Sequence, residues 1–199
     1  MNMVSIGDPV AIRPNVLYLS ENVITSKSLD NKIGVFIISQ VLENLSRVTR
    51  KSLDVHGVVT VQEEVGHRGA CVCGHKICPD LTISIDMDFA TDVPNCPKSK
   101  YGDVALGRGV VIHRSIDNDI PLTYALETLA KELNIKYQVS ARNLPVGGTN
   151  TFVIQQSQGG NKTISLGIPC RYMHTPVEMC DKNDIESAID LICAYVVND

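Results

Sequence analysis

The sequence predicts a three-layer α/β/α sandwich around a largely parallel, mixed central sheet. Short apolar runs rich in β-branched residues alternate with stretches of helical period along most of the chain, which is the pattern of an α/β domain. The 199 residues are 44% hydrophobic and 20% charged, which is enough for one domain with a sizeable core. No internal repeat divides them, so we expect a single domain over residues 1–199.

The first part of the chain predicts short strands followed by a long helix. β-Branched pieces at residues 10–12, 16–19 and 23–25 are separated by Pro, Asn and Ser, as in strands joined by turns. From residue 30 to residue 48, apolar side chains recur every three or four positions, which predicts an amphipathic helix. Residues 55–61 are apolar and β-branched, so we expect a buried strand there.

The rest of the chain predicts alternating helices and strands. Asp119 directly precedes Ile120 and Pro121, a sequence that predicts an N-cap and the start of a helix. Pro169 is expected to end the last strand. The expected helices cover residues 68–76, 120–133, 149–158 and 184–197, the strands 81–85, 109–113, 137–140 and 163–168, and the loops 88–103 and 144–148.

Composition excludes several classes of function. The net charge is −4 and no segment is rich in Lys and Arg, so nucleic acid and anionic membranes are not expected partners. The N-terminal residues lack a basic segment followed by an apolar core, and the longest apolar runs are too short to span a bilayer. Seven cysteines, an odd number, are most simply free thiols in a reducing cytosol, so we expect a cytoplasmic protein.

Acidic and histidine side chains follow the predicted strands. Glu63 and Glu64 come after residues 55–61, Asp86 after 81–85 and His174 after 163–168, while Asp30 opens the first long helix. In open α/β sheets, ligands bind at the carboxyl ends of the strands. Carboxylate oxygens with one imidazole suit zinc, cobalt or manganese, and an aspartate can bridge two such ions. The pattern therefore favours a metal centre at this edge.

The adjacent pair Glu63 and Glu64 predicts a division of roles. Neighbouring side chains in a strand point to opposite faces, so both can reach one site only where the strand breaks, and Gly66 and Gly69 supply that break. One carboxylate can then bind a metal while the other accepts a proton, as metal-assisted hydrolysis requires.

Ordinary structural interpretations remain open for each of these residues. Asp30 could be a helix N-cap, Asp86 part of a solvated turn, and His174 a donor to a backbone carbonyl. Glu63 and Glu64 could form a plain charged loop. Spacing alone predicts a hydrolase-like α/β domain and nothing more specific.

Five stretches of the sequence resemble the glutamyl aminopeptidase or tetrahedral (TET) metalloaminopeptidase family, whose members are also named deblocking aminopeptidases or cellulases. The resemblance covers essentially the whole chain in order and spacing, and it implies a zinc-exopeptidase-like fold. The matching stretches are residues 28–34 (SLDNKIG), 62–70 (QEEVGHRGA), 85–94 (IDMDFATDVP), 147–150 (GGTN) and 168–178 (IPCRYMHTPVE).

The resemblance implies a role for each candidate residue. Asp30 would bridge two metal ions, Glu64 and His174 would complete one site, and Asp86 would belong to the other. Glu63 would be the general base that takes a proton from water and passes it to the leaving amine. The reaction would remove N-terminal residues from peptides by two-metal hydrolysis with zinc or cobalt, in a homo-oligomer.

The sequence also departs from the family pattern. Relatives supply a further metal ligand from an upstream His-x-Asp motif and carry an inserted dimerisation domain, and neither is found here. We therefore expect the C-terminal catalytic portion of such an enzyme, with a sheet incomplete at its N-terminus and residues 1–26 as a remnant of the junction with that domain. About one tightly held divalent ion, or none, is expected per chain, together with poor activity in isolation.

Other interpretations of function and of local motifs compete with this one. The chain could be a catalytically impaired or inactive fragment that serves as an assembly subunit of the same fold. A glycosidase is disfavoured, because adjacent Glu63 and Glu64 cannot flank a sugar bond at the required separation of about 5–9.5 Å. Cys71, His75 and Cys78, on one predicted helix face, could bind a metal, but a buried helix of small residues is the simpler interpretation.

Overall fold

The computed structural model describes residues 3–48, 53–141 and 148–198. Strands and helices alternate through them, as the sequence predicts. The strands are β1 (Leu17–Tyr18), β2 (Val23–Ser26), β3 (Leu81–Phe89), β4 (Val110–His113), β5 (Tyr137–Ser140), β6 (Lys162–Cys170) and β7 (Glu178–Asp181). The helices are α1 (Leu29–Ser46), α2 (Arg68–Ile77), α3 (Lys98–Tyr101), α4 (Ile120–Glu132), α5 (Thr151–Ile154) and α6 (Lys182–Asn198).

The central sheet has four strands in the order β3-β6-β4-β5. β3 pairs with β6 in parallel, β4 pairs with β5 in parallel, and β4 meets β6 antiparallel. The prediction of a mixed, largely parallel sheet is therefore confirmed. A second, antiparallel sheet of three short strands, in the order β1-β2-β7, lies beside it.

Helices cover both faces of the central sheet and give the predicted α/β sandwich. Helices α1, α4 and α6 pack on one face, where Ile164, Leu166 and Ile168 of β6 are fully buried with Ile37 and Leu191 in the main core. Alternate positions of β6 face the other way, towards the side where α5 packs against β3 and β6 and α2 packs against α5.

Residues 55–61 do not form the expected buried strand. They have no regular structure, and Val59 and Val61 are 59% and 70% exposed. A strand needs a neighbouring strand to complete its backbone hydrogen bonds, and none of those described pairs with this run. The segment instead runs beside α1, where Gly57 lies against Leu42 and Ile38.

Several boundaries differ from those predicted, each for a local reason. β3 continues four residues beyond the expected end and therefore contains Asp86. β6 runs through Pro169, because its pairing with β4 has already ended at Gly167 and no donor is needed on that side. The expected helix 149–158 splits into α5 and a 3₁₀ turn, and the expected loop 88–103 contains α3.

Further outcomes concern shorter segments and single residues. Residues 10–12 form no strand, whereas β7 was not predicted. Most of the expected loop 144–148, with Gly147 of the fourth matching stretch, lies outside the described residues. Cys71 in α2 and Cys78 directly after that helix are exposed, so the expected burial of these side chains is wrong. None of the described helices combines the length and apolarity needed to cross a membrane.

Candidate metal centre

Asp86 lies in β3, whereas the other four candidate residues lie where the backbone is irregular. Asp30 lies in the first turn of α1 but has non-helical torsions, with φ −77° and ψ 112°. Glu63 and Glu64 occupy a turn before α2, closed by hydrogen bonds from the N–H groups of Gly66 and His67 to the Glu63 carbonyl. His174 lies between β6 and β7 with φ 64°, in the left-handed region that non-glycine residues rarely adopt.

Three of the predicted residues bring their donor atoms together. Nε2 of His174 lies 3.1 Å from Oδ2 of Asp30 and 3.5 Å from Oε1 of Glu64. The three donors all lie within 4.8 Å of one another, the one such group of His, Cys, Asp and Glu within the described residues. Two carboxylate oxygens and one imidazole nitrogen form a donor set that suits a divalent transition metal.

Cys71, His75 and Cys78 do not form a comparable group within the described chain. The Cys78 thiol donates to the carbonyl of His75, 3.2 Å away, rather than converging with the imidazole on a common point.

Glu63 stands beside the cluster rather than in it. Its Oε1 lies 2.9 Å from Nδ1 of His67, four residues further along the chain. Partial burial raises the pKa of the Glu63 carboxyl, while the nearby His67 lowers it and the charge of Glu64 raises it. A carboxylate that is held by a neighbour but is outside the donor group is suited to accept a proton.

Asp86 lies close to the cluster but outside the three-donor group. Its Oδ1 accepts hydrogen bonds from the N–H of Met87, at 2.9 Å, and from Nδ2 of Asn31, at 3.1 Å. The pKa of Asp86 is raised to about 7, mainly by burial and also by the charges of Glu63 and Asp30. The carboxylates of Glu63 and Asp30 therefore lie close enough to Asp86 for their charge to raise its pKa.

The electrostatics of the cluster favour a bound cation. The pKa of Asp30 is raised to about 6, mainly by burial and also by the charges of Glu64 and Glu178, while His174 lowers it. Like charges held together at a partly desolvated site disfavour ionisation, and a divalent cation reverses that balance. The donor set and the excess of negative charge both fit a metal ion.

A cavity of about 320 Å³ opens onto the three donors. Its wall also includes Lys27, Thr175 and Pro176. The cavity is large enough to admit a side chain or the end of a peptide next to the candidate metal ligands.

Three residues near the site were not singled out from the sequence. Glu178 accepts hydrogen bonds from the backbone N–H groups of Asp30, at 3.1 Å, and His174, at 2.9 Å. His67 contacts Glu63, and Asn31 contacts Asp86. All three lie in the stretches that resemble the aminopeptidase family, and this resemblance is the only feature of the sequence that points to them. No rule of residue spacing predicts such supporting contacts.

Most of the chain matches a known protein family. Residues 1–191 match the model of the M42 glutamyl aminopeptidase family. The chain is 33% identical over 192 residues to a lysyl aminopeptidase of Pyrococcus furiosus, covering 96% of this chain and 53% of that protein.

Solved structures agree with the sequence match. A TET aminopeptidase from Thaumarchaeota archaeon SCGC AB-539-E09 superposes with a TM-score of 0.85 at 28% identity, covering 92% of this chain and 52% of that one. The TET1 peptidase of Pyrococcus horikoshii, which can assemble into a tetrahedron or an octahedral shell, gives 0.72 at 26% identity over 92% and 53%. The chain thus spans about half the length of these relatives, and it belongs to the M42 glutamyl aminopeptidase family.

Proposed function

We propose that the chain is the catalytic portion of a metal-dependent aminopeptidase that removes N-terminal residues from peptides. The observation that carries this proposal is the convergence of Asp30, Glu64 and His174 within 4.8 Å, with Glu63 beside them. Membership of the M42 family and similarity to a lysyl aminopeptidase support the reaction class.

Asp30, Glu64 and His174 would hold one ion, and Asp86 together with Asp30 would hold a second. Zinc or cobalt suits this combination of oxygen and nitrogen donors. When bound, such an ion would polarise the scissile carbonyl and increase the acidity of the attacking water. Among the described residues, the Asp86 side of the centre has no converging imidazole, so we expect the second ion to be held weakly.

The protein residues supply the proton transfers and the binding surface. Glu63 accepts a proton from the attacking water and delivers it to the leaving amine. His67 holds Glu63 through the 2.9 Å contact to its Oε1. The cavity beside His174 admits the N-terminal residue of the peptide, and its apolar and charged lining provides the contacts that select this residue.

We also propose an organisation for the chain within its enzyme. Residues 1–199 form one catalytic domain, with residues 1–26 at the junction with a dimerisation domain. Assembly into a homo-oligomer is supported by the shells formed by the P. horikoshii relative, and a cytoplasmic location by the seven free cysteines. Peptides are the proposed partners, and the acidic net charge gives no support to nucleic acid or membrane.

The second candidate function is an impaired or inactive assembly subunit of the same fold. The exposed, unpaired run at residues 55–61 favours it, because this run immediately precedes Glu63 and Glu64 and no strand of the described chain supports it.

A hydrolysis assay separates the two candidates. The chain would be incubated with a panel of amino-acid p-nitroanilides in added Co²⁺ or Zn²⁺, and with the same compounds acetylated on the amino group. Turnover of the free amines alone, abolished by a chelator and restored by the metal, supports the aminopeptidase. Absence of turnover under all conditions, with metal binding retained, supports the assembly subunit. Absence of both turnover and metal binding contradicts the metal-dependent proposal.

A further inference from the structure

One buried carboxylate connects the two backbone segments that carry Asp30 and His174. Glu178, the first residue of β7, is 3% exposed. Its Oε2 accepts a hydrogen bond from the N–H of Asp30 at 3.1 Å, and its Oε1 accepts one from the N–H of His174 at 2.9 Å. Each oxygen thus holds one segment, and an ionised acceptor makes these bonds stronger than neutral ones.

Neither of these segments is held by regular secondary structure at the residue concerned. Asp30 has non-helical torsions at the start of α1, and His174 has a left-handed backbone with φ 64°. Uncommon backbone conformations persist only when the surroundings determine them. Glu178 is well placed to do so, because it pairs with Ser26 in the small sheet and is itself fixed by that pairing.

Glu178 is not one of the converging donors. The described cluster consists of side-chain atoms of Asp30, Glu64 and His174, and Glu178 contributes none of them. Its two oxygens are directed at backbone N–H groups of two of these residues. Groups that orient metal ligands influence affinity without touching the ion.

We propose that Glu178 is a positioning residue for the metal centre. Its carboxylate fixes the separation of Asp30 and His174 through their backbone N–H groups, and thereby sets the affinity of the centre for a divalent ion. This inference rests on the proposed function, because it requires Asp30 and His174 to be metal ligands.

Glu178→Gln is the informative substitution. Glutamine has the same shape but only one acceptor oxygen, so its NH₂ group would face one of the two backbone N–H donors. One of the two segments would then lose its hydrogen bond. The protein offers a matched control in Asp184, a fully buried carboxylate that accepts from the N–H groups of Gly107, at 2.8 Å, and Gly109, at 2.6 Å. Asp184→Asn makes the same chemical change where no candidate ligand is involved.

The measurement is a Co²⁺ titration of the chain, followed by the visible absorption of the bound ion and by competition with a chelator. We expect Glu178→Gln to bind Co²⁺ about 10–100-fold more weakly, the range typical of groups that orient ligands, with an altered absorption spectrum. Asp184→Asn should keep the affinity and the spectrum of the unsubstituted chain, even if both variants lose thermal stability.

Each outcome decides the proposal. Unchanged affinity in Glu178→Gln overturns it, as does an equal loss in both variants, which would indicate general destabilisation. If Glu178→Gln does not fold, Glu178→Asp keeps the charge but shortens the reach by one methylene, and unchanged affinity in that variant also overturns the proposal. No Co²⁺ binding by the unsubstituted chain would instead overturn the proposed function, and this inference with it.

Discussion

Nδ1 of His67 lies 2.9 Å from Oε1 of Glu63, across the turn that precedes α2. His67 itself has a left-handed backbone with φ 52°, and its ring lies 6.4 Å from that of Phe152. The histidine therefore has a neighbour on each of two sides, and one of them is a carboxylate that stands beside the candidate metal ligands without joining them. This arrangement leads to the first prediction.

Glu63→Gln should abolish most of the metal-dependent turnover while leaving metal affinity unchanged. Glutamine keeps the shape but cannot accept a proton, and general acid–base groups contribute about 10²–10⁴-fold to rate. We expect kcat to fall by that factor with little change in KM, measured with the best p-nitroanilide substrate. Glu43→Gln, at an exposed glutamate of α1, is the control. Turnover that survives in Glu63→Gln would contradict the assigned mechanism.

His174→Ala should weaken binding of a divalent ion by more than about 100-fold, because losing a ligand costs more than losing a group that only orients one. Equilibrium dialysis with Zn²⁺ would measure the affinity. His75→Ala is the matched control, since His75 is an exposed histidine on α2. A greater loss in His75→Ala than in His174→Ala would favour the alternative site on Cys71, His75 and Cys78.

Asn31→Asp should destabilise the metal-free chain. The Asn31 amide donates to the carbonyl of Ile85, at 2.8 Å, and to Oδ1 of Asp86, at 3.1 Å, while its oxygen accepts from the N–H of Gly34 at 2.8 Å. Aspartate keeps the oxygen that accepts from the N–H of Gly34. It replaces the donating NH₂ group with a second oxygen, which repels the oxygens of Ile85 and Asp86. We expect a loss of about 1–3 kcal/mol in the free energy of unfolding, measured by urea denaturation at pH 8.

The control for this substitution is Asn44→Asp, at an exposed position of the same helix. It adds the same charge to α1 without placing it against Asp86. Equal stability losses in the two variants would show that the hydrogen bonds of Asn31 are not responsible.

Asp184 should make the stability of the chain fall as the pH rises from about 4 to about 7. Burial raises the pKa of Asp184 to about 7 from an ordinary value of 3.8. Hydrogen bonds from Gly107 and Gly109 lower it, and the charges of Asp181 and Asp92 raise it. The folded state therefore keeps a proton that the unfolded state has lost over this interval, so the stabilising contribution is complete below pH 3.8 and is lost as the pH rises through 7.

Comparison with Asp184→Asn isolates this effect from other titrating groups. The free energy of unfolding of the unsubstituted chain and of Asp184→Asn would be measured by urea denaturation at intervals between pH 4 and pH 8. We expect the variant to gain stability relative to the unsubstituted chain as the pH rises. A difference that is constant with pH would contradict a raised pKa at Asp184.

Much of the fold follows from local patterns in the sequence. The periodic apolar residues between positions 30 and 48 predict a helix, and α1 occupies Leu29–Ser46. Asp119 accepts a hydrogen bond from the N–H of Leu122 at 2.9 Å, so the predicted N-cap of α4 is confirmed. Such features depend on residues three or four positions apart, and a single sequence contains that information.

The predictions from the sequence are wrong where an element depends on pairing with residues that are distant in the sequence. Residues 55–61 have the composition of a strand, but the described chain provides no neighbour to pair with them. β7 is short, and its pairing with β2 joins residues more than 150 positions apart. Local propensity is a weak guide to such segments, because packing and pairing decide them.

The candidate site shows the same division. The sequence by itself named Asp30, Glu63, Glu64, Asp86 and His174 as candidates, from their residue types and from their places beside runs predicted as strands or at the start of a predicted helix. Only the tertiary structure decided that Asp30, Glu64 and His174 converge while Asp86 remains outside the group. Only the structure decided that Glu178 holds two of the three, because the N–H groups of Asp30 and His174 can donate to Glu178 only once β2 and β7 have paired.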